Sequence, residues 1–110
     1  MAADSENRMT ISNALAALAE ETAAFKKIFA HGTLEIEIYQ PRQVDEQEPH
    51  SRDEVYVVAT GTGFFINGGS RQPVEPGEVL FVRAGIEHRF VDFTPDFSTW
   101  VIFYGPEGGE

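Results

Sequence analysis

The chain contains no cysteine, which excludes disulfide frameworks, thiolate zinc sites and cysteine nucleophiles together. Basic residues are scarce: eight Lys and Arg stand against eighteen Asp and Glu, for a formal charge of -10. That field repels phosphate backbones and anionic lipid headgroups, so neither nucleic acid nor a membrane is an expected partner. Long apolar runs are also missing, since no stretch approaches the ~18 residues of a membrane span. Asp4 and Glu6 stand where a secretory signal needs positive charge, and the Ala14 to Ala19 stretch is too short and too acid-flanked to serve as its apolar segment. A cytoplasmic protein is the default expectation.

What is present in 110 residues suffices for one domain, which buries roughly two-thirds of the surface its unfolded chain exposes. Ile11, Leu15, Leu18 and Phe25 share a stripe at helical spacing, which predicts a helix from about Ser12 to Ala24. Ser12 would cap it, with Lys26 and Lys27 near its negative end. The pattern then changes to period two, with Leu34, Ile36 and Ile38 alternating with Glu35, Glu37 and Tyr39 after a turn at His31-Gly32. Asn67-Gly68-Gly69 predicts a hairpin after Phe64-Phe65-Ile66, because Asn-Gly accepts the positive φ angles of a tight turn.

Short apolar runs at Val55 to Ala59, Val79 to Val82, Arg89 to Phe93 and Thr99 to Tyr104 are separated by Gly, Pro and Asp. Strands of this length and spacing predict an all-β sandwich or barrel. Pro41 to Pro49 reads as a polar, acid-rich loop.

Two segments carry the candidate chemistry. In Pro49-His50-Ser51-Arg52-Asp53-Glu54, the equal parity of His50, Glu54, Tyr56 and Val58 places them on one face of a regular strand. The second segment runs from Gly77 through an apolar strand to Gly85 and ends at His88. Two neutral imidazoles and one carboxylate form an arrangement suited to Fe, Mn, Zn, Ni or a similar divalent ion, with coordination positions left open. The same two histidines could instead be hydrogen-bonded barrel residues with no metal. His31 reads as a turn residue.

These residues resemble the cupins, whose first motif is G-x5-H-x-H-x3or4-E-x6-G and whose second is G-x5-P-x-G-x2-H-x3-N. His50, Glu54 and Gly61 match the second histidine, the glutamate and the closing glycine of the first; Gly77, Gly85 and His88 match the second. Glu48 stands in place of the first histidine, Arg42 of the opening glycine, Arg83 of the proline and Asp92 of the asparagine. The resemblance covers about Leu34 to Tyr104. It implies a jelly-roll β-barrel (a double-stranded β-helix) with a short N-terminal helix: residues 1–30 as tail, helix and first strand, 31–106 as the barrel, 107–110 as a tail.

It further implies a homodimer and a divalent metal held by His50, Glu54 and His88, acting on a small organic substrate as a dioxygenase, isomerase or decarboxylase. A metal-free small-ligand-binding module is the alternative. Glu48 admits three readings: a fourth ligand, a proton acceptor beside an open metal, or a solvated loop residue. Tyr56 is the other acid-base candidate. Aromatic candidates to line the cavity are Tyr56, Phe90, Phe65, Trp100 and Tyr104, with Ile102.

Overall fold

A computed structural model of the chain describes residues 7–45 and 47–110. Among the described residues, one helix, α1 (Ile11–Leu18), precedes eight strands: β1 (Phe25–His31), β2 (Leu34–Tyr39), β3 (Asp53–Thr60), β4 (Gly63–Asn67), β5 (Ser70–Val74), β6 (Val79–Val82), β7 (His88–Val91) and β8 (Ser98–Tyr104). They form two antiparallel sheets, of order β1-β2-β8-β3-β6 and β5-β4-β7. The all-β sandwich or barrel read from the strand spacing is thus present, as two facing antiparallel sheets that do not close into one ring, and no described helix is long and apolar enough to cross a membrane.

The helix is shorter than its apolar stripe predicts. Thr10, not Ser12, is the cap, its hydroxyl accepting from the Asn13 N–H at 3.2 Å. The chain leaves the helix after Leu18, and the segment from Phe25 pairs with β2 as a strand. Lys26 and Lys27 therefore lie in β1 rather than beside a helix terminus. Backbone pairing along six partners outweighs the weak continuation of the helical pattern.

Pairing register decides which face each side chain takes. Tyr56, Val58, Val82, Val101 and Tyr39 of the larger sheet pack against Phe65, Val74 and Phe90 of the smaller one, with Phe97 from the β7–β8 connection. Tyr56, Phe65, Phe90 and Phe97 form a chain of tilted and edge-on rings with centroids 4.7 to 5.5 Å apart, the spacing at which aromatic pairs attract. On the outer face, Ala14 and Leu18 of α1 pack against Ile38, with Ile28 and Trp100 beside them.

Trp100 therefore belongs to the outer face, and Ile102 and Tyr104 share its parity in β8. The inward residues of that strand are Val101 and Phe103, so the cavity lining is shifted by one position from the sequence expectation. Such a shift exchanges every side chain between faces, and both faces of β8 are apolar enough to hide it.

Turn geometry seats the two motif segments. Gly61 has φ +73°, and a Cβ there would meet the Phe97 backbone at 2.6 Å, so only glycine fits where β3 ends. Gly85, at φ +83°, donates its N–H to the His50 carbonyl at 2.8 Å. That bond ties the turn before His88 to the segment that carries His50.

Candidate metal centre

Glu54 is the second residue of β3 and His88 the first of β7, one on each sheet. Both side chains are sealed from solvent, and His88 Nε2 lies 3.0 Å from Glu54 Oε1. His50 reaches them from the loop before β3, so its strand parity does not place it; its Nε2 is 3.8 Å from Glu54 Oε1 and its ring is one-third exposed. One ligand atom from each of the three residues lies within 4.8 Å of the others.

Hydrogen bonding shows what this pocket lacks. His88 Nδ1 is 2.9 Å from the Ile86 carbonyl; a carbonyl only accepts, so Nδ1 carries the proton and Nε2 is the nitrogen left to face Glu54. With the proton on Nδ1, neither Nε2 nor the Glu54 carboxylate supplies a donor to this approach, and no hydrogen bond forms. His88 Nε2 and both Glu54 oxygens are buried without any hydrogen-bond partner among the described residues. Buried polar atoms left this way each cost on the order of 1–3 kcal/mol. A cation between them would remove that cost, and the donor set, two imidazoles and a carboxylate, suits a divalent ion.

The two imidazoles titrate apart. Burial pushes His50 below its ordinary value, only partly offset by the Glu54 charge. Burial alone would lower His88 too, but the adjacent Glu54 carboxylate and the Ile86 carbonyl outweigh it and raise the net value. Tyr56, buried between Phe65 and Phe90, is pushed well above the usual phenol range, first by burial and then by the Glu54 charge. Its hydroxyl donates to Gln47 Oε1 at 2.9 Å.

Glu48 is exposed and is not among the residues whose ligand atoms converge. The loop turns its neighbour inward instead: Gln47 Oε1 lies 3.3 Å from His50 Nε2. Asp45 is a second surprise. Rather than a solvated member of an acidic loop, it is 5% exposed and accepts four hydrogen bonds, from the Tyr39 hydroxyl (2.5 Å), the Gln47 backbone (3.1 Å) and side chain (2.9 Å), and the Phe90 backbone (2.7 Å). Glu46 lies outside the described residues. His31 ends β1 before the Gly32 turn, away from the centre.

A cleft of about 650 Å³ opens beside the centre, with His50, Gln47, Phe103, Val101, Tyr39 and Glu37 in its wall. Glu37 shares the parity of Tyr39 and faces inward, while Ile36 and Ile38 take the other side of β2. Burial raises its carboxyl above the ordinary range, with the Glu35 charge adding and Lys27 opposing. Neither Gln47 nor Glu37 belongs to the motifs, so no spacing pointed to them.

The Cupin domain family profile matches residues 35–95. An uncharacterized Streptomyces coelicolor protein, SCO3923, is 38% identical over 63 residues, which cover 57% of this chain and 60% of that protein, so the match spans less than two thirds of that relative. A cupin-2 domain protein from Shewanella frigidimarina superposes with a TM-score of 0.69 at 14% identity, covering 88% of this chain and 94% of that one. KdgF from a Halomonas species gives 0.67 at 17%, covering 80% and 87%. At these identities the structural likeness speaks to the fold alone. Because the profile spans more than half of the chain, this protein belongs to the cupin family.

Proposed function

We propose that this chain is a small metal-dependent cupin in which His50, Glu54 and His88 hold one divalent cation, Fe, Mn, Zn or Ni, beside a cleft that admits a small organic molecule. The observation that carries this reading is the set of buried, partnerless acceptors converging from two sheets: His88 Nε2 and both Glu54 oxygens. A bound ion would supply Lewis acidity and open positions for substrate oxygen. His88 is held in the correct tautomer by Ile86, as metal-binding imidazoles require. Tyr56 stays a phenol and serves as a fixed donor to Gln47, which makes it a positioning group rather than a base.

Proton transfer suits the cleft because Glu37 stands in its wall, its carboxyl raised above the ordinary value by burial and by the Glu35 charge. A carboxyl placed in the wall of a cleft is a candidate to hold or accept a proton from a bound molecule, which favours an isomerase or decarboxylase over a dioxygenase. Phe25 and Phe103 add apolar wall, so a partly apolar keto or hydroxy compound is the expected ligand class. The acidic surface does not draw in highly charged anions.

Elemental analysis of tag-free protein, then thermal melting with Mn, Fe(II), Zn or Ni, tests the metal. Stoichiometric binding with a raised Tm supports the centre. Saturable binding of organic ligands by protein that takes up no metal would replace it with the metal-free binding module. Deuterium exchange from solvent into keto and hydroxy compounds, run beside oxygen uptake, separates proton transfer from oxygenation.

A homodimer is supported by the outer face of the larger sheet. At its β2 side that face is covered by α1, but on β6 Val79 and Phe81 are 66% and 49% exposed and are paired with Val55 and Val57 on β3. Contiguous apolar surface of this kind is uncommon on monomers. Sedimentation velocity should give a dimer that Phe81→Lys dissociates; a monomer over a wide concentration range for the unaltered chain would reject it.

A further inference from the structure

We propose that Gln47 is the fourth ligand of the metal centre, its carboxamide oxygen occupying the place that the motif spacing assigns to Glu48. The inference rests on the metal-centre reading above and concerns how this chain completes the coordination without the family's first histidine.

Orientation is settled by chemistry. A carboxylate only accepts, so the group of Gln47 that meets Asp45 Oδ2 at 2.9 Å is its NH2. The carboxamide oxygen is then the atom turned toward Tyr56 and His50, at 2.9 and 3.3 Å. The backbone N–H of Gln47 also binds Asp45, so main chain and side chain are clamped by the same buried carboxylate. Asp45 in turn accepts from the Phe90 N–H, two residues beyond His88. The loop is thereby registered to the second motif.

Separation agrees with a shared coordination sphere. Donors at about 2.1 Å from one ion lie about 3.0 Å apart when cis in an octahedron and about 3.4 Å apart in a tetrahedron. His88 Nε2 and Glu54 Oε1 are 3.0 Å apart and His50 Nε2 and Gln47 Oε1 are 3.3 Å apart, while His50 Nε2 stands 3.8 Å from Glu54 Oε1, between these values and the about 4.2 Å of trans octahedral donors. The carboxamide oxygen has two lone pairs: Tyr56 uses one, and the other, which accepts from His50 Nε2 here, would pass to the ion once that nitrogen gives up its proton to become a ligand itself. Two imidazoles, one carboxylate and one neutral amide leave a divalent centre with a net positive charge, hence a stronger Lewis acid than a centre with two carboxylates.

The test is Co(II) binding by the full-length, tag-free protein, followed by calorimetry and by the visible absorption that reports ligand number and type. Gln47→Met keeps the side-chain length, and it should weaken Co(II) at least ~10-fold and change the spectrum, whereas Glu48→Gln should leave both as they are. Reversed behaviour, or a Gln47→Met protein with unchanged spectrum and affinity, would overturn the assignment. A measurement on the unaltered chain guards against misfolding of the variant: Zn(II) should shift the side-chain 13Cδ resonance of Gln47 more than those of Gln40, Gln43 and Gln72, and equal shifts would count against ligation. Failure of the unaltered chain to bind any Co(II) or Zn(II) would overturn the metal centre itself; binding that ignores Gln47 would overturn only this inference.

Discussion

The candidate centre has two halves held in different ways. Glu54 and His88 form a wall: each begins or nearly begins a strand, each is sealed from solvent, and His88 Nε2 and both Glu54 oxygens have no hydrogen-bond partner among the described residues. His50 and Gln47 form an arm on the loop between β2 and β3, in contact with the cleft and hydrogen-bonded to one another, with Gln47 bonded in turn to Asp45. The wall is preorganised at an energetic cost, since desolvated groups without partners destabilise the fold. The arm carries little such cost and owes its position to one carboxylate. A binding site assembled in this way is rigid where the charge is and adjustable where the substrate enters.

Removing the wall's charge is the strongest way to break that contrast. Glu54→Gln should lower metal affinity by at least ~100-fold while leaving the metal-free protein as stable as the unaltered one or more so, because a buried unpaired charge is replaced by a neutral isostere. Melting with and without metal checks both halves of the claim. For the unaltered protein, metal at 100 times Kd should add about 2.7 kcal/mol, and the variant should show no such gain. A large loss of stability in metal-free Glu54→Gln would mean that the carboxylate is satisfied by the protein alone.

Protons should compete with the ion, and mainly at the wall. His88, whose pKa is raised above the ordinary 6.5, takes up a second proton, at Nε2, more readily as pH falls than does His50, whose pKa is lowered by burial. Metal affinity is therefore expected to be full above the raised His88 value and to decline as pH falls through it. Titration calorimetry across pH 5 to 9 reads this directly; an affinity flat through that range would show that neither imidazole is a ligand.

The arm is broken at Asp45. Asp45→Ala strands the Phe90 N–H and both donors of Gln47 and removes one bond of the Tyr39 hydroxyl; a buried donor left unpaired costs about 1–3 kcal/mol. A net loss of about 2–4 kcal/mol in urea unfolding is expected, together with weaker metal binding. The conservative Asp45→Asn keeps volume but presents an amide to donors, so it should fall between. Equal stability of Asp45→Ala and the unaltered chain would remove the carboxylate from its organising role.

Much of the wall was legible in the sequence and little of the arm. Glu54 and His88 sit at motif spacing beside turn glycines, and Gly61 is required by a backbone that leaves no room for a Cβ. Strands β3, β4, β6, β7 and β8 follow from apolar runs between breakers, and the Gly68-Gly69 turn from its neighbours. The arm has no periodicity to read. Whether Gln47 or Glu48 turns inward depends on the path of a loop, and Asp45 resembles its acidic neighbours in sequence while being buried in the fold. Glu37 was hidden for another reason: on β2 the apolar Ile36 and Ile38 face the helix, so alternation marked the covered outer face and not the cleft. In β8 both faces are apolar, and pattern alone could not choose Val101 and Phe103 over Trp100 and Ile102.

The smallest expected effect concerns the wall's own aspartate. Asp53, the first residue of β3, does for the wall what Asp45 does for the arm: its carboxylate accepts from the Ala84 N–H at 2.8 Å and from the Glu110 N–H at 3.0 Å, joining β3 to the turn before His88 and to the C-terminal tail. Those two backbone donors hold its pKa below the ordinary 3.8, with burial opposing and Arg83 assisting. A group whose folded pKa is depressed contributes stability that is fully present above the unfolded value and is lost as pH falls through the folded one. The stability difference between the unaltered chain and Asp53→Asn should therefore be constant at neutral pH and shrink only below about pH 3.8. Urea midpoints measured from pH 7 down to pH 2.5 test this, and comparison with the variant cancels the other carboxylates. A difference that begins to shrink near pH 6 would place the titration elsewhere, at the imidazoles, and would mean that the wall is tied through its ligands and not through Asp53.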